Sequence, residues 1–361
     1  MGTARTEPSV SGSQQLNERL LRACRRERVD RTPVWFMRQA GRSDPKYLAI
    51  RGRASLLEIC RTPALCAEIT LRPVEDLGVD AAILFADITL PLGGMGVAFD
   101  LQDGIGPQIR HPIRTETDLA TLRPFELDDT MTGVLDAIRL IRRASPVPLV
   151  GFAGGSFTLA SYLIEGGPSR DFIHTKTMMA QAPGLWQQLM TQLTAATICY
   201  LQAQVAAGAQ AVQVFDSWVG ALSPADYADH VAPYSRAVFA AIATTGVPSI
   251  HFGTSTAGLL PAMTAAGGDI IGVDWRIDLA DAWARIGSGR GIQGNLEPAM
   301  LLAPVDVLRA RAQSVLDQAA GRPGHIFNLG HGVLPQTPRD RLRWLVEMVH
   351  EYSGRGEGNS R

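Results

Sequence analysis

Arg38 and Arg42 stand four residues apart, with Gly41 between them, directly after the apolar run Pro33-Val34-Trp35-Phe36-Met37. Guanidinium groups on a rigid apolar base cost stability unless they meet acids, and their forked N–H groups grip a carboxylate through two parallel hydrogen bonds. The pair therefore points to carboxylates of the protein or of a ligand. Farther along, side chains suited to acid–base or hydrogen-bonding chemistry recur just after other apolar runs. They are Asp87; Tyr162, one turn beyond Gly154-Gly155-Ser156; Asp216 and Ser217; His251; Asp274 and Arg276; Asn295; and His331, between Gly330 and Gly332. Singly, each has a plainer reading: Asp87 as a helix cap, Ser217 as a turn residue, Tyr162 as core. The two glycines around His331 suggest backbone that comes close to a ligand and leaves the imidazole room. At matching positions the set points to one site.

The elements that must position these residues repeat. Eight short apolar, β-rich runs occur at 33–37, 81–85, 147–152, 211–215, 247–252, 269–275, 291–296 and 325–330. Most are separated by stretches with helical signals, such as Pro183 to Gly208, where Leu185, Leu189 and Leu193 share a stripe and Gly208 stands where a terminating glycine belongs. Strand then helix, repeated eight times, predicts an α/β fold: a single-domain (β/α)8 TIM barrel whose site lies at the C-terminal ends of the strands. The gaps 38–80 and 86–146 leave room for extra elements. The barrel is expected over residues 16–352, with disordered tails at 1–15 and 353–361.

The chain has 361 residues and a net charge of −1, so there is no general basic field to hold nucleic acid or an anionic membrane. The arginine-rich segment 19–31 mixes in acids and lacks aromatic residues for stacking, and reads as a solvated helix face. Residues 177–215 carry no charge, but eight glutamines, Pro183, Gly184 and Gly208 argue against a membrane span. The stretch reads instead as a buried helix feeding a buried strand. Four scattered cysteines, Cys24, Cys60, Cys66 and Cys199, with no C-x-x-C pair, fit a reduced, cytoplasmic protein.

With these residues in place, the chain resembles the uroporphyrinogen decarboxylase family over nearly its whole length. The resemblance is carried by PVWFMRQAGR, ILFADI, GFAGGSFTLASYLIEGG, VQVFDSWVG and FNLGHGVLP, in that order. It implies a dimerising (β/α)8 barrel that removes the four acetate carboxyls of uroporphyrinogen III, giving coproporphyrinogen III in haem biosynthesis. By motif, it implies substrate-binding roles for Arg38, Arg42, Asp87, Tyr162, Ser217 and His331. Among these, Asp87, Arg38, Tyr162 and His331 are the catalytic candidates. The tetrapyrrole is the expected small-molecule partner, beside a second copy of the chain; no metal and no organic cofactor is expected, since no thiamine or pyridoxal signature is present. Asp87 would face the pyrrole N–H groups and offset a forming cation, in a mouth walled by Phe36, Met37, Phe85 and Phe157.

Two departures stand out. Asp44-Pro45-Lys46-Tyr47 replaces the family's Leu-Pro-Glu-Tyr, placing an acid and a reversed charge beside the arginines, and Ser156 stands where a proline is usual. They support one alternative, a catalytically inactive tetrapyrrole-binding relative. A second alternative, the zinc-dependent, corrinoid-linked methyltransferases, needs a His-x-Cys where this chain has His251-Phe252-Gly253 and a further cysteine near the eighth run, which is missing.

Overall fold

In the computed structural model the described residues are 16–41, 44–102 and 104–354. Arg42 therefore lies outside them, as do the expected tails except Ser353 and Gly354, which continue the last helix, Arg339–Gly354. Seven parallel strands form one curled sheet in the order β1 (Ala82–Ile83), β4 (Leu149–Gly154), β5 (Ala211–Phe215), β6 (Ser249–Phe252), β7 (Ile270–Gly272), β8 (Gly291–Gln293) and β9 (His325–Ile326). Helices on the outer side connect successive strands, as the alternating pattern requires. An antiparallel hairpin, β2 (Phe99–Gln102) and β3 (Gly106–Ile109), fills part of the long gap after β1. The uncharged stretch forms the 25-residue helix Pro183–Ala207, buried along one face, and leads into β5. Among the described residues no helix is long and apolar enough to cross a membrane.

The strands are shorter than the apolar runs because side chains take over from the ladder where the chain bends toward the loops. After β1 leaves the sheet, Gln204 reaches in from its helix: its Nε2–H donates to the Phe152 carbonyl and its Oε1 accepts the Phe152 N–H, both at 2.8 Å. Gly151 leaves the room, since a Cβ there would lie 2.4 Å from that Oε1. The first run makes a single parallel bridge, Val34 to Phe327. Beyond it, the Phe36 N–H turns to the Gln39 side chain and the Met37 N–H to that of Asn328.

Inside the curl, hydrogen bonds run from Trp35 to Gln293 and from Gln293 to Gln213, each 3.0 Å, and from Gln213 to the Met37 sulfur at 3.5 Å. These polar groups are almost wholly buried, so pairing with one another avoids the cost of lone burial.

Asp80, 1% exposed, ties the first run to both ends of the chain. Its N–H donates to the Val34 carbonyl at 2.7 Å, and its Oδ2 accepts the Val34 N–H at 2.8 Å. His350 of the last helix donates to the same Oδ2 at 2.7 Å, while Arg19 and Asn17 donate to Oδ1. Burial works to raise its pKa, but the His350 bond and charge, the Val34 N–H and Arg19 bring it below the ordinary value. The expected outcome for Asp80→Asn at pH 7 is a loss of roughly 3 kcal/mol, the scale of breaking a buried ion pair, read from urea unfolding. A carboxyl with a lowered folded pKa stabilises above its unfolded pKa and stops doing so as pH falls through the folded one. The gap between parent and variant should therefore close below pH 4.

Candidate active site

The C-terminal ends of the strands surround a cavity of about 380 Å³. Arg38, Asp87, Tyr162, Ser217 and His331 all line it, so every described residue to which the resemblance assigned a substrate-binding role comes to one place, whereas Asp216, His251, Asp274, Arg276 and Asn295 do not line it. Arg42 lies outside the described residues.

Arg38 follows the buried run directly and adopts a left-handed backbone, φ 62°. Its loop interlocks with the one that carries His331. The Val333 N–H donates to the Met37 carbonyl at 2.9 Å, and a Cβ on Gly332 would lie 2.6 Å from the Arg38 Cδ. Gly41 is needed for a similar reason, because a Cβ there would stand 2.4 Å from the Arg38 carbonyl oxygen. Gly330 makes room for Trp275. Both glycines around His331 thus serve contacts with neighbouring segments of this chain, and Gly332 lines the cavity as well.

The plain reading of Asp87 holds together with the functional one. Its Oδ1 accepts the Thr89 N–H at 2.9 Å and the Thr89 hydroxyl at 2.5 Å, which sets the turn before the helix Leu90–Gly94. The turn engages Oδ1 alone, and the carboxylate still lines the cavity. Tyr162, on the helix Ser156–Glu165, stacks on Trp218 with ring centroids 4.0 Å apart. Burial and then the Asp87 charge push its hydroxyl pKa up, with Arg38 pulling the other way, so the hydroxyl stays protonated and can donate. Ser217 is half-buried after β5, with its carbonyl accepting the Thr254 hydroxyl at 2.5 Å.

His331 accepts the Gly332 N–H on Nδ1 at 2.7 Å, which places the proton of the neutral ring on Nε2. Burial, then the Arg38 charge, brings its pKa down to about 4. At neutral pH it is an uncharged donor.

The walls differ from expectation. Met37 and Phe85 line the cavity, but Phe36 and Phe157 do not. Phe36 is fully buried, and Phe157 packs behind its helix against Trp186, centroids 6.1 Å apart. The aromatic floor comes instead from Phe152, Phe215 and Phe252, with Tyr47 against Phe85 and Trp218 beside Tyr162. A signal for these was present, since Phe215 and Phe252 each end an apolar run and are register partners on adjacent strands. The hairpin turn, Gly104 to Pro107, forms another side and carried no comparable signal.

Other strand-end residues are structural. His251 points out of the sheet to the Gly267 carbonyl and Phe239. Asp274 pairs with Arg276 and accepts the Ser255 N–H at 2.7 Å, and Asn295 donates to the carbonyls of Asp274 and Ile277. The departures also turn away from the cavity. Asp44 is gripped by Arg72 through two bonds of 2.8 and 3.0 Å, Lys46 is exposed, and the Ser156 hydroxyl meets that of Thr194 at 2.9 Å. Among the described residues, no three His, Cys, Asp or Glu side chains gather as a metal site would require.

Among the described residues the cavity thus sets one guanidinium and one carboxylate among neutral donors above an aromatic floor, an arrangement suited to a ring with acidic arms. A family model described as uroporphyrinogen decarboxylase (URO-D) matches residues 15–352. The chain is 52% identical over 340 residues to the uroporphyrinogen decarboxylase of Carboxydothermus hydrogenoformans, covering 94% of this chain and 97% of that one. It is 53% identical to that of Sorangium cellulosum, with 93% and 96% covered, and 52% identical to that of Thermus thermophilus, with 94% and 99% covered. Among solved structures, a methyltransferase from Methanosarcina mazei superposes with a TM-score of 0.77 at 22% identity, covering 94% of this chain and 99% of that one. That likeness concerns the fold alone.

The His331 assignment has a direct check. Its imidazole resonances in the ligand-free protein should titrate near pH 4, and the midpoint should rise when an anionic tetrapyrrole binds, because nearby carboxylates favour the imidazolium. A free-protein midpoint at the ordinary histidine value would refute the neutral-donor assignment.

Proposed function

The chain belongs to the uroporphyrinogen decarboxylase family and is a carboxy-lyase acting on uroporphyrinogen, and from that premise we propose how its residues carry the reaction. The observation that carries the proposal is the lining of the cavity. Among its described residues Asp87 is the sole acid and Arg38 the sole arginine, with Tyr162, Ser217 and His331 around them.

Decarboxylation leaves the electrons of the broken C–C bond to be accommodated. Protonating a pyrrole carbon next to the arm gives a cationic, iminium-like ring. Carbon dioxide then departs, and the C–C electrons flow into that cation. Protonation of the resulting exocyclic carbon makes the methyl group, and loss of the first proton restores the pyrrole. Asp87 accepts from the pyrrole N–H groups and stabilises the cation as it develops. At about 4 Å two unit charges interact by roughly 1 kcal/mol in water but about 4 kcal/mol at an effective dielectric of 20, so the aromatic walls strengthen this effect. Arg38 grips a carboxylate as a fork, and Arg42, from the same motif, takes a second one. Tyr162, Ser217 and neutral His331 donate to the arms. A guanidinium with a pKa above 12 is a poor acid, and His331 carries no spare proton at neutral pH, so binding is the first role of both.

The same reading takes the sheet as a closed eight-membered barrel with the first run as its remaining stave, supported by the bonds of Pro33, Val34 and Trp35 to Phe327 and Asp80. It extends to a homodimer in the cytoplasm, supported by the family relation and, for the compartment, by four unpaired thiols.

The test is turnover of uroporphyrinogen under anaerobic, reducing conditions. Activity is expected without added metal or cofactor, and loss to a chelator with recovery on zinc would overturn that part. Asp87→Asn should fold and lose on the order of 10²–10³ in kcat, the scale of removing one preorganised electrostatic partner. A loss of only a few-fold would remove Asp87 from the mechanism. Arg38→Lys should lower kcat/KM by at least about tenfold without changing Tm, because lysine cannot reproduce the fork. Parental efficiency in that variant would mean that charge alone suffices.

A further inference from the structure

Asp216 immediately precedes Ser217, yet it does not line the cavity. It is fully buried, and its Oδ1 accepts the Thr158 hydroxyl at 3.1 Å. The Thr158 Oγ1 in turn accepts the Trp218 N–H at 3.3 Å. Thr158 is the third residue of the helix that carries Tyr162, and the N-cap of that helix, Gly155, has no side chain with which to cap it. A Cβ on Gly155 would lie 2.6 Å from the Asp216 carboxyl carbon. Asp216 thus occupies the space a capping side chain would use and bonds the residue such a side chain would serve.

We propose that Asp216 is a positioning residue that caps the Tyr162 helix from the end of a different strand, and so fixes Tyr162 against Trp218 and Ser217. The inference rests on the decarboxylase reading and concerns the alignment of its groups, not the reaction they perform. The link is a ring: Asp216 holds Thr158, Thr158 holds the backbone of Trp218, and Trp218 stacks on Tyr162, four residues beyond Thr158.

Among the described residues the carboxyl's other oxygen has no partner, and the titratable group facing it is the buried phenol of Tyr227, on the helix Pro224–His230. The Tyr162 helix presents Thr158, and no salt bridge neutralises Asp216 among the described residues. Burial pushes its carboxyl up to about 7, with the Thr158 hydrogen bonds pulling back. Above that pH an unpaired charge is buried between the two elements, and their alignment should loosen.

Three variants of the full-length protein, assayed with uroporphyrinogen across pH 6 to 9, test this. Asp216→Asn keeps an acceptor for Thr158 without a titrating group. It should hold kcat within about threefold of the parent at pH 6.5, as expected for a substituted cap of good propensity, and lack the parent's fall above pH 7. Asp216→Ala should lower kcat at least about tenfold with KM little changed, because a misplacement of about 1 Å costs up to about 100-fold. Thr158→Val removes a single hydroxyl and decides the matter if the alanine variant does not fold; kcat should again fall about tenfold with KM little changed. An active parent with no alkaline fall, an Asn variant that retains it, or a Val variant at parental kcat would overturn the proposal. An inactive parent would instead sink the decarboxylase reading.

Discussion

Asp80 receives hydrogen bonds on both carboxylate oxygens from three separate stretches of chain: Val34 in the first run, His350 in the last helix, and Asn17 and Arg19 near the start. The first run needs such an anchor because it has little ladder of its own. It is bridged to Phe327 at one residue, and its next backbone groups bond to side chains. The run leads straight into the turn that presents Arg38, and the His331 loop packs on that turn through Gly332 and Val333. A shift of Val34 would therefore move a cation and a neutral donor of the cavity together. A buried carboxylate that does not itself line the cavity thus ties down the run that presents Arg38, through bonds that each cross a different boundary of the fold.

Farther in, the sheet is stiffened by polar groups where apolar packing alone would allow slippage. Trp35, Gln293, Gln213 and Met37 form a buried chain beneath the cavity, and Gln204 supplies bonds that β4 loses when β1 turns away. Such groups are costly unless all are paired, so they favour one register over its neighbours. The phenylalanines of the floor, each at the end of a run, inherit their height from that register.

The repeating runs, and the shared cavity of five of the residues that follow them, were legible because strand ends face the mouth. Arg38, Asp87, Tyr162, Ser217 and His331 were grouped on that basis and on the family motifs, and they line one cavity. What could not be read depends on partners distant in sequence. Asp44 looked like an acid beside the arginines until Arg72, on another helix, was seen to hold it. Ser156 looked like a change in the glycine loop, but its hydroxyl turns to Thr194. Phe157 was placed in the wall although helix geometry turns it away, whereas Phe152, on the strand before it, faces the cavity. The period of the backbone told the strands apart; the direction of a side chain at a strand-to-helix junction needed the fold.

Charge states give the site a further property. Uroporphyrinogen starts with eight carboxylates, and on the proposed reading it loses four of them in turn. A cavity crowded with cations would hold the first substrate far more tightly than the later ones, because each lost carboxylate would remove an ion pair. Here burial keeps Tyr162 protonated and His331 neutral, so among the described lining residues the donors other than Arg38 are uncharged, and on the proposed reading Arg42 adds only one further cation. Neutral donors lose less attraction when a carboxylate becomes a methyl, since bonds between uncharged and charged groups depend on contact more than on long-range charge. On the proposed reading the aromatic floor is left to the macrocycle, whose four rings are kept at every step. On that reading binding is shifted from the feature that the reaction removes to the one that it preserves, which is what a single site serving four successive decarboxylations requires.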